Sequence, residues 1–306
     1  MPRFRYVLVD VFTDTPLAGN QLAVFTDARD IPEEMLQKIA REMNLSETVF
    51  VYPPGWTTPQ AAPPAETAGG DALQTDETVY VYPAEGDGHV RIRIFTPSLE
   101  LPFAGHPVLG TAIVLGGPLQ LVEIKLETQQ GTIALELERE GARIVSARMR
   151  QPVPTVQPFP QVDELLAALG GVESQLPVEV YDNGVPHVFV ALASRADVAA
   201  LEPDQARLLR LGRYGINCFA EEGTKVKSRM FGPGLGMAED PATGSAAGPL
   251  ALHLARHGRI AFGEEIEITQ GEEILRRSTL YAVAHSPEHI EVAGSAVIVA
   301  RGEFQI

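Results

Sequence analysis

Two short stretches of this 306-residue chain place an acid or histidine beside proline, followed by glycine and small hydroxyl or alanine residues. They are Phe103-Ala104-Gly105-His106-Pro107 running into Gly110-Thr111-Ala112, and Asp240-Pro241-Ala242-Thr243-Gly244-Ser245-Ala246. Each opens an apolar run of helical character, so its first backbone N–H groups have no intrahelical acceptor and attract anions. At such corners His106 and Asp240 can hydrogen-bond a substrate or relay protons, while the amides of Gly105, Gly244 and Ser245 hold a carboxylate. Plain capping explains either corner taken singly, because Asp and Ser are routine helix starters. Their recurrence in both halves of the chain favours a site. Glu47, in Leu45-Ser46-Glu47-Thr48-Val49, lies between a helix end and an apolar strand. Poor solvation there would raise its pKa toward the range useful for moving protons between carbon atoms; an exposed strand-start Glu is the alternative.

Other chemistries lack their residues. His253 and His257 are four apart on a helix, a zinc-compatible spacing, but no Glu follows the first His, so both read as ordinary helix residues. Gly232, Gly234 and Gly236 do not have dinucleotide-binding spacing and no Lys-Ser/Thr follows them. There is no G-x-S-x-G elbow for a serine hydrolase. The one cysteine, Cys218, reads as core and permits neither an internal disulfide nor a cysteine metal cage.

The elements that position these residues follow from pattern. The length predicts roughly two domains, and 45% hydrophobic content is ample for two cores. A net charge of −16 excludes nucleic acid and anionic membrane as partners. The N-terminus reads as a first strand and not a signal peptide, and no run approaches the about 18 apolar residues of a membrane span, so a cytoplasmic protein is expected. Strands are expected at 5–12 and 21–25, then a helix from Asp30 as cap, with Pro32 and Glu33 in its first turn, to a left-handed close at Asn44. Residues 53–78, rich in Pro, Gly, Ala and Thr, read as a surface insertion. Strands at 89–96, 121–128, 131–138 and 143–150 flank a helix that Gly116-Gly117 would stop. Residues 151–160 read as a surface excursion, 161–169 and 203–211 as helices, and 187–192, 216–219 and 226–231 as strands. Pro249 requires either a second helix beginning near Ala246 or the loss of one internal hydrogen bond. Four short strands are expected over 265–306. The pattern predicts an α+β chain of two similar halves.

The stretches VDVFTDTPLAGNQLAVF, NLSETVFV, RIFTPSLELPFAGHPVLGTA, DNGVPH and EDPATGSAAG together resemble the PhzF-like (phenazine biosynthesis) isomerase family, which has the diaminopimelate-epimerase fold. The resemblance spans the chain. It implies two pseudo-symmetric half-barrels, each wrapped around a central helix, with the active site in the cleft between them. Residues 1–118, completed by a last strand at 297–306, would form one half and 119–296 the other. It further implies Glu47 as proton shuttle, His106 and Asp240 assisting at the reacting carbon, Gly105, Gly244 and Ser245 holding a substrate carboxylate, and Asn20 and Ser46 lining the pocket. Homodimers acting on a small anionic metabolite, with no metal or organic cofactor, are also implied. The expected function is an isomerase catalysing a Glu-mediated 1,3-proton shift. The alternatives are epimerisation of an amino or hydroxy acid without thiols, or binding of a small anion without turnover. The two-cysteine racemisation used by epimerase relatives is excluded, because neither corner carries a thiol.

Overall fold

The computed structural model describes residues 2–54, 56, 88–141 and 143–306. Apart from Pro53, Pro54 and Trp56, the insertion expected at 53–78 lies outside them. No helix among the described residues is long and apolar enough to cross a membrane.

The chain begins with β1 (Arg3–Val11), β2 (Asn20–Phe25), α1 (Glu33–Met43), β3 (Glu47–Tyr52), β4 (Val90–Phe95), β5 (Glu100–Leu101), α2 (Gly105–Leu119), β6 (Glu123–Thr128), β7 (Gly131–Glu140) and β8 (Arg143–Arg150). After β9 (Thr155–Pro158) and α3 (Val162–Ala168), the same plan starts again. It runs through β10 (Glu179–Asp182), β11 (Pro186–Ala191), α4 (Arg195–Ala199), α5 (Gln205–Leu211), β12 (Gly215–Glu222), β13 (Lys225–Gly232) and β14 (Met237–Asp240). It ends with α6 (Gly244–Arg256), β15 (Glu265–Gln270), β16 (Ser278–Ser286), β17 (His289–Gly294) and a final strand, β18 (Ala296–Gln305).

Strand pairing exposes the repeat. β1–β2 is antiparallel, β2–β3 parallel, β3–β4 and β4–β5 antiparallel, β4–β6 parallel, and β6–β7–β8 antiparallel. The same senses recur in order for β10–β11, β11–β12, β12–β13, β13–β14, β13–β15 and β15–β16–β17. β8 pairs with β17 and joins the two repeats, while β18 and β9 add outer strands to β1 and β10. α2 therefore corresponds to α6. It packs on strands from both ends of its repeat, β1 to β3 and β6 to β8, as α6 packs on β15 to β17. A helix apolar on every side, as α2 is, can be stable only when enclosed in this way. One core runs through both repeats, from Val108, Leu109 and Ala112 of α2 to Leu250, Ala251 and Leu254 of α6. The architecture is α+β. The domain boundary expected at 118/119 falls at the end of α2; β6 to β8 pair back through β4, so strand pairing carries the first repeat on to Arg150.

Several local expectations are corrected. α1 begins at Glu33 with Pro32 as its cap, whose side chain has no acceptor for a cap bond, and Glu33 pairs with Arg93 at 2.5 Å. Asn44 closes it at φ 50° as expected. Gly116 and Gly117 do not stop α2, which continues to a left-handed Gln120. Residues 155–158 of the supposed surface excursion form β9. Pro249 lies inside α6, whose first residue is Gly244, so the Ser245 carbonyl loses its helical N–H partner. Asn183 Nδ2 donates to that carbonyl instead, at 2.9 Å.

Candidate active site

The helix ends meet. Gly105 and Gly244, the first residues of α2 and α6, approach so closely that a Cβ on Gly105 would lie 2.4 Å from the Gly244 carbonyl carbon. On Gly244 it would lie 2.9 Å from the Phe12 ring and 3.0 Å from the His106 amide nitrogen. Only glycine fits at either place. Two positive dipole ends and their unpaired N–H groups thus converge, which suits negative charge on a ligand.

Glu47 opens β3 beside this junction and is buried. Its Oε2 lies 3.4 Å from His106 Nε2, and neither atom has a hydrogen-bond partner. Burial, with the charge of Asp240 as a second cause, lifts the Glu47 carboxyl well above the usual carboxylate range. Burial also pushes Asp240 up, to about 6, although hydrogen bonds from Thr243, Asn20 and Ser46 favour its ionised form. Thr243 Oγ1 donates to Asp240 Oδ2 at 2.7 Å and Asn20 Nδ2 to Oδ1 at 2.8 Å. This asymmetry assigns the proton of the pair to Glu47 and the charge to Asp240, since polar donors surround only the latter. His106 is held neutral, its pKa lowered to about 3 by burial against a smaller opposing effect of the Gln21 carbonyl. Asn20 Nδ2 lies 3.4 Å from His106 Nδ1, and Nε2 faces Glu47 with no other partner.

A cavity opens over this floor. Glu47, Gly105, His106, Asp240, Gly244 and Ser245 all line it, so both corners and the carboxylate come together as one site. Asn20 and Ser46 are not on its wall. Asn20 is fully buried beneath, tying Asp240 to the Ala242 carbonyl at 2.9 Å, and Ser46 reaches the same carboxylate. Apolar walls come from Leu99 and Leu101 of the first repeat and Val185, Met230, Leu235 and Met237 of the second. Arg213 also lines the cavity, and its side chain is exposed.

His187 is the main residue that the sequence reading did not single out. It lines the cavity and is buried, with burial lowering its pKa to about 3. Asn217 Nδ2 faces its Nδ1 at 3.3 Å and its Nε2 lies 2.9 Å from Ser245 Oγ. With Nδ1 accepting from the amide, Nε2 donates to Ser245 and leaves the serine proton free for a ligand. Its signal was the DNGVPH stretch, which the resemblance picked out without giving the histidine a role. Cys218 is fully buried outside the cavity wall, its thiol pushed up by burial. His253 and His257 lie at the far end of α6 with Glu179, where the Arg256 guanidinium at 3.5 Å supplies the carboxylate's positive partner.

The sequence profile of the phenazine biosynthesis-like proteins matches residues 9–62 and 71–302. The chain belongs to this family. A trans-2,3-dihydro-3-hydroxyanthranilate isomerase of Pseudomonas fluorescens is 48% identical over 97% of this chain and 98% of its own length. Among solved structures, a PhzF-family protein of Bacillus anthracis covers both chains fully, with a TM-score of 0.75 at 23% identity. A hydroxyproline epimerase of Agrobacterium vitis covers 98% of this chain and 92% of its own, with a TM-score of 0.63 at 9% identity. The two likenesses establish a shared PhzF and epimerase-like fold. This family member is an isomerase, as its curated relatives are.

Proposed function

We propose that the protein isomerises a small carboxylate-bearing substrate of the dihydro-hydroxyanthranilate type by a 1,3-proton shift carried by Glu47. The observation that carries this reading is a buried carboxyl with a free oxygen, facing a neutral imidazole where two helix N-termini converge. Glu47 in its ionised form removes a proton from a substrate carbon. The released electron pair moves across the adjacent double bond, and the carboxyl returns the proton two atoms away, ending in its starting state. A single group can be base and then acid when its pKa is lifted toward the working pH. The N–H groups of Gly105, Gly244 and Ser245 hold the substrate carboxylate, and the His106 and Asp240 side chains orient the reacting carbon. The substrate for which the relatives are named, trans-2,3-dihydro-3-hydroxyanthranilate, supplies such a carboxylate.

The test is isomerisation of that compound in D₂O. Wild type should place solvent deuterium on the newly protonated carbon, and Glu47→Gln should be slower by about 10²-fold or more. Equal deuterium uptake by the variant would remove Glu47 from the role; inertness of the wild type would remove this substrate.

A further inference from the structure

Away from the cavity, the β16–β17 hairpin carries the stretch His285-Ser286-Pro287-Glu288-His289-Ile290-Glu291. Strand alternation turns Ala284, Ile290 and Val292 into the core and leaves His285, His289 and Glu291 on the outer face, half-buried or exposed. The turn between the strands is tight. The register shifts so that Ser286 stands opposite His289, and Ser286 Oγ accepts from the Glu288 amide at 3.2 Å. This sets the two imidazole rings side by side, with centroids 4.7 Å apart. Glu291 faces both of them. Its Oε1 lies 2.9 Å from His289 Nε2 and its Oε2 3.4 Å from His285 Nε2. One ligand atom from each of the three residues falls within 4.8 Å of the others. Two ligands held about 2.0–2.1 Å from a tetrahedral zinc ion are themselves about 3.3 Å apart, so the present spacing needs little adjustment to share one ion.

Charge and access favour a cation here. Around the hairpin Glu265, Glu288 and Glu291 outnumber Arg148 and Arg150. Arg148 donates to Glu265 at 2.7 Å and stands 3.6 Å from Glu291, while Arg150 donates to the Glu288 carbonyl at 3.2 Å. The group of Glu179, His253 and His257 differs, because His253 is fully buried and Arg256, beside Glu179, also donates to Tyr181 at 2.7 Å. An ion needs an entry path, and only the hairpin face offers one. We propose that His285, His289 and Glu291 bind a zinc-type divalent cation through the two Nε2 atoms and the carboxylate, with water at the open position. Imidazole and carboxylate ligands suit such ions, and each ring then carries its proton on Nδ1. The ion ties β16 to β17, the strand through which the second repeat pairs with β8 of the first. None of the three residues lines the cavity, so the site is separate from the isomerase chemistry.

The experiment is calorimetric titration of the chelator-treated, full-length protein with zinc chloride. Wild type should bind with a dissociation constant on the order of 10 µM, and His285→Gln, His289→Gln and Glu291→Gln should each weaken binding by about tenfold or more. His257→Gln, which alters the other histidine group, should stay within about twofold of wild type. Zinc should also raise the thermal unfolding midpoint of wild type. His289→Gln, whose amide can still hydrogen-bond Glu291, should fold and lose this rise. The proposal is overturned if wild type takes up no zinc, if the three hairpin variants bind as wild type does, or if His257→Gln is the variant that loses binding.

Discussion

At the scale of single residues, the site is decided by which of two buried carboxyls is solvated by protein. Asp240 receives hydrogen bonds from Thr243, Asn20 and Ser46, whereas Glu47 Oε2 receives none. The Asp240 charge then adds to burial in raising Glu47. If Glu47 acts first as a base, kcat/KM rises with pH through its elevated pKa. Asp240→Asn removes the repulsion, lowers that pKa, and should move the acidic limb of the profile to lower pH. An unmoved limb, or one displaced upward, would contradict the coupling of the two acids. Asn20, expected on the cavity wall, instead holds Asp240 from below. Nothing in a linear sequence tells a side chain that touches ligand from one that orients its neighbour.

At the scale of elements, glycine marked the right place with the wrong outcome, and of the two outcomes open at proline the structure takes the lost hydrogen bond. Gly116 and Gly117 each weaken a helix by about 1 kcal/mol in isolation. α2 nevertheless runs past them, because burial of the helix from Gly105 to Val114 outweighs that cost, and the stop is left to Gln120. Pro249 shows the converse: the helix accepts it because a distant side chain, Asn183, takes over the orphaned Ser245 carbonyl. Asn183→Ala should therefore cost about 1–3 kcal/mol in denaturant unfolding. That cost should shrink in a Pro249→Ala background, where the restored helical N–H satisfies the carbonyl. Additive costs in the double variant would show that the two changes do not share this acceptor.

At the scale of the whole molecule, burying titratable groups makes stability depend on pH in a defined way. His106 and His187 are lowered to about 3 and His253 to about 4, in each case chiefly by burial. Below about pH 6.5 the unfolded chain takes up protons that these native histidines refuse, so stability falls as pH falls. Glu47 and Asp240 act in the opposite sense, since their raised pKa values add stability as pH drops toward the unfolded carboxylate range. The two effects largely offset each other between about pH 6 and pH 4.5. Below that range the unfolded carboxyls also take up protons, so their opposing effect fades and the histidine effect comes to dominate. Stability plotted against pH should thus decline gently and then steeply. His187→Gln should reduce the steep part by one proton, about 1.4 kcal/mol per pH unit. An unchanged slope would show that His187 titrates alike in both states.

Local physics was enough to read the strand patterns, the amphipathic α1 with its left-handed Asn44, the paired corners at 103–112 and 240–248, and Glu47 at a helix-to-strand junction. These depend on neighbours within a few residues, where alternation, helix termini and turn chemistry act. The family resemblance supplied the cleft. The structure alone settled which charges face one another and which residues merely support them. The contact of Gly105 with Gly244, the Glu47–Asp240 coupling and the placing of His187 behind Ser245 all join positions far apart in the chain. Such contacts come from the repeated sheet closing around two helices, and no local pattern encodes them.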